Sequence, residues 1–481
     1  MEFNSLMFLL FFPCVTIIYY LFPEKVKNLF VFISSMLFYA CCGGKYVFWL
    51  LGVICISYFS ALGMERQGEK KKKQIITINI IVVIGLMFGF KYLNMIPQMA
   101  SSLLKVFGVQ TRTFFWEVVL PVGISFYTFV ALGYVADVYR GKVKAEKNFV
   151  DYGAFVAFFP TLISGPIERS NNLLKQIKEP KKFDANKIRN GFCQMLWGYF
   201  QKVVVADRVC VIVAAVYNDY EAYSGIYVVV ATLLYAFQIY CDFAGYSNVA
   251  IGAARVLGFE LSKNFNAPYL ATSISEFWKR WHISLSTWLR DYVYISLGGN
   301  RGGKVKKYRN LICTFLVSGL WHGANWTFVV WGGLHGIYSV VNDAISEKWE
   351  SWKSKGATVV KCVITFALVD FAWLFFRADT VQDAFRMIKL VFVRFDLMSI
   401  FNRELAISMG MEIEDIVIMI LGLLVVLLAE LLRNKIDFRG KLCQLALPIR
   451  WLVFYVAIFV ILIFGYYGPG FDAAQFIYKQ F

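Results

Sequence analysis

Apolar residues come along this chain in long unbroken runs, separated by short polar and charged stretches. The runs cover residues 5–22, 29–42, 46–62, 75–93, 118–135, 191–217, 224–240, 311–341, 357–376, 416–431 and 451–467. A run near 20 residues matches the hydrocarbon thickness of a bilayer. A helix satisfies its own backbone hydrogen bonds in lipid, so these runs predict membrane helices. No regular ten-residue alternation of the barrel-strand kind is present. The expected fold is an all-α polytopic membrane protein of about 11–12 membrane segments, some of them re-entrant. Run 29–42 is short for a span and predicts a tilt shared with the next run across Gly43-Gly44. Run 5–22 has no basic stretch before it and no small-residue cleavage site after it, so it reads as a first span and not a cleaved signal.

Two segments depart from simple spans. Residues 149–164 lie between Lys147 and a second basic group, Arg169, Lys175, Lys178, Lys181 and Lys182. Pro160 and Gly165-Pro166 interrupt helix there, which predicts a re-entrant segment. Run 311–341 is too long for one span. Basic residues precede it (301–309) and follow it (Lys348, Lys353, Lys355), which predicts a helical hairpin broken near Gly323. Between them, 242–300 is the most polar long stretch. Ser273 and Glu276 form a capping-box pattern ahead of a predicted helix over 274–292. That helix would carry Trp278, Trp281, Leu285, Trp288, Leu289 and Tyr292 on one face, and Lys279, Arg280, Arg290 and Asp291 elsewhere. This is the pattern of an amphipathic helix lying in the membrane interface. No internal repeat is visible, and so no inverted-repeat transporter signature.

Composition agrees and narrows the classes. Apolar residues are 59% of the 481 and charged residues 17%, against about 45–50% and about 25% in soluble domains. That excludes an ordinary cytosolic enzyme, a disordered chain and a small secreted scaffold. The net charge is +17, which on a membrane protein points to basic loops facing anionic lipid and not to nucleic acid. The basic loops alternate. Lys25 and Lys27, Arg66 with Lys70–Lys73, Arg140 with Lys142, Lys144 and Lys147, and Arg433 with Lys435, Arg439 and Lys441 fall on one side, while 94–117 is nearly uncharged. By the positive-inside rule the basic side is cytoplasmic, and both termini lie outside. The 10 cysteines show no metal-ligand spacing and sit in apolar runs, apart from the adjacent Cys41-Cys42. Neither a metal site nor a disulfide framework is expected.

Only three histidines are available: His282, His322 and His335. His322 stands in the middle of a long apolar run, where an imidazole is costly unless it faces a partner or a cavity. It either hydrogen-bonds between helices for packing or acts as a general base that takes the proton of an attacking hydroxyl. Its depth favours the second. In one straight helix His335 would lie ~20 Å from His322 along the axis. The two share a site only if the segment folds back, and a structural role is favoured for His335. His282 lies beside the apolar stripe of the 274–292 helix, either pointing at headgroups or standing at the cytoplasmic mouth of a cavity near an acyl donor. Lys202, Asp207, Arg208, Lys361 and Asp370 also fall at membrane depth, and structural pairing or snorkelling is the favoured reading. Gly298-Gly-Asn-Arg-Gly-Gly303 lies outside any βαβ unit and reads as a turn, with Arg301 and backbone amides facing a donor's phosphates as its functional alternative.

Several blocks carry a family resemblance. Asp242-Phe-Ala-Gly-Tyr-Ser247, Asn264-Phe-Asn-Ala-Pro-Tyr-Leu270, Ser275-Glu-Phe-Trp-Lys-Arg-Trp-His-Ile-Ser-Leu-Ser286, Trp288-Leu-Arg-Asp-Tyr292 and Leu297-Gly-Gly-Asn-Arg301 resemble the core of the membrane-bound O-acyltransferase family. Leu320-Trp-His-Gly323 and Trp331-Gly-Gly-Leu-His-Gly336 complete the pattern. The branch most resembled is the membrane subunit of alginate and exopolysaccharide O-acetylation; Phe3-Asn-Ser5, Phe158-Phe-Pro160 with Gly165-Pro166, and Phe375-Phe-Arg377 also match it.

The resemblance implies a many-helix fold around a central tunnel, within one membrane-embedded domain over 1–481. N-terminal helices would span 1–140, the core 141–345 and C-terminal helices 346–481. It makes His322 the catalytic histidine and His282 the second recurrent one. His335, Asn325, Trp321 and Asp242 would surround the site or line the tunnel. Lys279, Arg280, Arg290 and Arg301 would draw an anionic donor. No bound cofactor is implied. The acyl group, acetyl by expectation, would come from a cytoplasmic thioester, acetyl-CoA or an acylated carrier protein, and would reach an extracellular glycan with the help of an extracytoplasmic acetyltransferase. Two departures stand out: Asn248 where the branch commonly has Asp, and Lys479 where an aromatic is usual. D-alanyl transfer to teichoic acid is the alternative in the same chemistry. A transporter without covalent chemistry is the alternative of another class.

Overall fold

The computed structural model describes residues 1–93, 120–401, 410–433 and 435–467. The nearly uncharged segment 94–117 and residues 468–481, with Lys479, lie outside the described residues. Among those described the protein is helical, with no strand. The helices in chain order are α1 (Leu6–Leu21), α2 (Glu24–Ala40), α3 (Tyr46–Met64), α4 (Glu69–Tyr92), α5 (Ile124–Tyr139), α6 (Phe149–Val156), α7 (Ala185–Tyr199), α8 (Asp207–Asn218) and α9 (Gly225–Val256). There follow α10 (Ile274–Arg280), α11 (Ile283–Leu289), α12 (Lys304–His322), α13 (Trp326–Ala344), α14 (Lys355–Arg377), α15 (Val381–Val393), α16 (Ile413–Leu432) and α17 (Leu447–Phe464). Six of them, α3, α4, α9, α14, α16 and α17, are long and apolar enough to cross a membrane, and α1 and α5 are shorter apolar helices. The protein is a multi-pass membrane protein.

The chain divides into two compact units. The first holds residues 1–192 and 250–262. Its core is aromatic: Phe3, Phe8, Phe38 and Phe159 meet, with Phe3 4.7 Å from Phe8 and Phe38 5.5 Å from Phe159. Ser5 caps α1 by accepting from Phe8 N. The short apolar run of the sequence belongs to α2, a helix of its own, which ends in a turn at Cys41–Gly43 before α3 begins. After α6 the chain leaves helix at Ala157 and makes one four-residue turn, Phe159–Leu162. Every residue from 151 to 168 is buried, so this irregular backbone is enclosed by protein.

The second unit holds residues 193–249 and 263–480. The long run over 311–341 breaks where its length requires. α12 ends at His322, Gly323 is extended, and Asn325 caps α13 by accepting from Thr327 N. α12 and α13 pack closely because glycines face across the pair: a Cβ on Gly332 would stand 2.5 Å from Phe315 O, and one on Gly319 would strike Phe328 O. Between α7 and α8 the helix widens into a π-helical turn, Phe200–Ala206, a feature that is frequent near functional sites.

The interfacial helix expected over 274–292 is not continuous, and this corrects the sequence reading. α10 stops at Arg280, His282 takes a left-handed conformation (φ 41°, ψ 54°), and α11 starts at Ile283. A π-helical turn, Arg290–Tyr294, follows. Trp281, Leu285, Trp288 and Leu289 are buried in the unit and do not lie on a lipid-facing stripe. The capping box is half formed: Ser273 Oγ accepts from Glu276 N, but the Glu276 carboxylate turns to Thr272 N and Oγ1, both 2.7 Å away.

Candidate active site

His322 is the last residue of α12, buried at the turn of the hairpin. Aromatic rings surround it: Trp321 at 4.9 Å, Trp331 at 5.0 Å with the rings perpendicular, and Phe376 of α14 at 5.2 Å. Folding the segment back brings in His335 from α13. Its ring also lies 5.0 Å from Trp331, so the two histidines share one indole as neighbour. His335 is fully buried among Phe277 (6.3 Å, stacked), Trp278, Phe315, Tyr338 and Trp373. Neither of its ring nitrogens has a hydrogen-bond partner among the described residues.

His282 joins the group through Trp321, whose ring is 6.2 Å away. Its own setting is polar on one side. Nδ1 lies 3.0 Å from Asn264 Oδ1, which also accepts from Ser284 Oγ at 2.9 Å, while Asn264 Nδ2 donates to Ser247 Oγ at 3.0 Å. The Phe243 ring meets the imidazole edge-on at 4.6 Å. Burial pushes the imidazole pKa down, to about 3, so His282 is neutral at physiological pH. The left-handed backbone at a non-glycine residue costs about 1–2 kcal/mol. Ala267 is the other described non-glycine residue with positive φ, and it sits in the same corner. Such residues persist where the surroundings over-determine them. Here Ile283 N bonds Asn264 O and Asn266 N bonds Arg280 O, both at 2.9 Å.

Comparison with known proteins places the chain in a family. The model of the membrane-bound O-acyltransferase family matches residues 142–379, the stretch that carries all three histidines. The chain is 38% identical over 395 residues to the "Probable alginate O-acetylase AlgI" of Pseudomonas aeruginosa, covering 82% of this chain and 75% of that protein. It is 33% identical over 422 residues to the "Peptidoglycan O-acetyltransferase" of Helicobacter pylori, covering 80% and 79%. A "Teichoic acid D-alanyltransferase" of Streptococcus thermophilus is 31% identical over 253 residues, covering 50% of this chain and 59% of that protein. The chain belongs to the membrane-bound O-acyltransferase family. It is an O-acyltransferase, and the resemblance read from the tryptophan–histidine blocks holds over most of its length.

The other residues singled out in this acyltransferase take distinct places. Asp242 pairs with Lys202 Nζ at 2.7 Å, and Lys202 also reaches Asp207 at 2.7 Å. Lys202 sits in the widened turn between α7 and α8, and Asp242 is the residue before Phe243, so this buried ion cluster anchors the stretch of α9 that packs on His282. Arg208 pairs with Asp415 of α16 at 2.6 Å, the structural pairing favoured for it. Lys361 donates to Trp352 O at 2.7 Å. Asn325 is occupied as the cap of α13 and donates to Asp379 O at 2.7 Å; it fixes the turn after His322. Asn248 bridges two amides, accepting from Gln194 at 3.0 Å and donating to Gln201 at 2.8 Å. A carboxylate there could not donate.

Of the basic residues, Lys279, Arg290 and Arg301 are exposed, whereas Arg280 is held by Glu276 at 2.5 Å and by Ala267 O at 3.3 Å. The glycine-rich segment is a turn, with positive φ at Gly298, Gly299, Gly302 and Gly303 and with Asn310 Nδ2 on Gly299 O at 3.0 Å. The sequence gives no role to Asn264. It lies 18 residues from His282, and no local spacing rule connects a loop asparagine to a distant imidazole.

Proposed function

We propose that the protein moves an acetyl group from a cytoplasmic thioester donor across the bacterial cytoplasmic membrane, for O-acetylation of an extracellular glycan. The observation that carries this reading is the burial of His322 at the hairpin turn within a shell of aromatic rings, where it shares Trp321 with His282 and Trp331 with His335. The acceptor hydroxyl oxygen bonds to the acyl carbonyl carbon while its proton passes to the neutral imidazole of His322. The C–S bond breaks, and the proton returns to the leaving sulfur. Water exclusion by the rings protects the acyl group from hydrolysis. His282 works on the donor side. Lys279, Arg290 and Arg301 attract the anionic donor, acetyl-CoA or an acylated carrier protein, which is used as substrate and not held as a cofactor. The hydroxyl acetylated at His322 then hands the acetyl group to an extracytoplasmic acetyltransferase, which passes it to a glycan hydroxyl, and both termini lie outside.

The relatives named for alginate and peptidoglycan O-acetylation align with about four-fifths of this chain, and the D-alanyltransferase with half. That difference favours acetyl over D-alanyl. His322→Ala should abolish glycan acetylation at unchanged protein level and membrane insertion, measured by acetyl release from purified glycan. Full acetylation in that variant defeats the assignment.

A further inference from the structure

We propose that Asn264 is a positioning residue of the acyl transfer: it fixes His282 as the neutral tautomer protonated on Nδ1 and reserves the Nε2 lone pair for the donor-side chemistry. The role of His282 on that side rests on the function proposed above; the tautomer does not.

The argument is one of donors and acceptors. Asn264 has two ends, an oxygen that only accepts and an NH2 that only donates. Ser284 N, 3.4 Å away, carries a backbone N–H and cannot accept, so the end of Asn264 that faces it is the oxygen. Ser284 Oγ at 2.9 Å bonds the same atom, and the NH2 is directed to Ser247 Oγ at 3.0 Å. The amide orientation is thus set by the network around it. His282 Nδ1 meets that oxygen at 3.0 Å, so Nδ1 must carry a proton. In a neutral ring Nε2 is then the acceptor. Burial keeps the ring neutral. The backbone carries the same instruction: Asn264 O receives Ile283 N at 2.9 Å, which clamps the left-handed His282 between two bonds from one asparagine. His282 therefore accepts a hydrogen bond or a proton at Nε2 and does not donate one, so it is not the acid that protonates the leaving sulfur.

With three histidines in the chain, 15N-histidine labelling gives three imidazoles in detergent or nanodiscs. His282→Gln assigns one of them by its disappearance. In the wild-type protein that signal should report a protonated Nδ1 and an unprotonated Nε2. A His282 protonated on Nε2, or on both nitrogens, overturns the proposal without any variant having to fold. Asn264→Ala should move the proton population toward Nε2 and lower donor turnover about 10- to 100-fold, the scale on which orienting partners of histidine act, with protein level and insertion retained. Turnover lost with the Nδ1–H tautomer intact overturns the positioning role. A shifted tautomer with turnover unchanged instead defeats the donor-side role of His282.

Discussion

His322 and His282 have Trp321 as a common neighbour, yet different physics holds each of them. The rings of Trp321, Trp331 and Phe376, from α12, α13 and α14, pack against His322. His282 is gripped by an asparagine that also bonds Ser284 and Ser247, at a backbone angle that few residues adopt. Rings set distance and exclude water, but a ring contact does not itself decide which nitrogen of an imidazole carries its proton. An amide fixes that choice. The first setting is that of the proton transfer proposed for His322, and the second that of an imidazole held in one tautomer.

The largest effect that tests this contrast is on chemistry. His322→Ala should leave no measurable glycan acetylation. His282→Ala should retain a residual rate, with the loss seen in turnover of the acyl donor and not only in acceptor affinity. Equal and complete loss in both, with donor turnover intact in the His282 variant, would break the division of roles.

The next effect is on geometry. The position of His322 depends on the α12–α13 pair closing tightly, and Gly332 allows it. Gly332→Ala places a Cβ 2.5 Å from Phe315 O, a contact that neither backbone can accept without moving. The hairpin should part by several tenths of an ångström and shift Trp331, which touches both His322 and His335. A displacement of that order costs up to about 100-fold in a reaction that depends on alignment. Activity should fall sharply, while the tautomer of His282, set by Asn264 elsewhere in the unit, stays as it was. If the variant also alters the His282 signal, the two settings are coupled more closely than their contacts indicate.

The same contrast explains what the sequence discloses. Spans are legible because bilayer thickness fixes the length of an apolar run. The break near Gly323 follows from a run too long for one span with basic flanks at both ends. The histidines are legible because there are only three. The kink at His282 is not, since the apolar spacing of Trp278, Trp281 and Leu285 continues through it as if one helix ran on. What interrupts that helix is a pair of bonds to Asn264, and a pattern read over neighbouring residues contains no trace of it. The ion cluster of Lys202, Asp207 and Asp242 is half visible: each charge is conspicuous in an apolar run, but the pairing across to α9 depends on packing.

The smallest effect is at His335, and it separates the ring-lined setting from catalysis. His335 resembles His322 in being lined by rings, with six aromatic neighbours that include the shared Trp331. Both ring nitrogens lack a hydrogen-bond partner among the described residues, and an unsatisfied buried polar group costs about 1–3 kcal/mol. Phenylalanine removes that cost. It is slightly larger than histidine, and overpacking a tight core costs about 1–3 kcal/mol in return. The two terms oppose each other, so His335→Phe should leave thermal stability close to wild type and acetylation within a few-fold of it. His282→Phe, which removes both ring nitrogens and the bond to Asn264 Oδ1, should lose most activity. A loss of acetylation in His335→Phe as deep as in His322→Ala, with the fold intact by thermal melting, would show that the shared indole links two working histidines and that ring-lined burial at 335 is part of the chemistry.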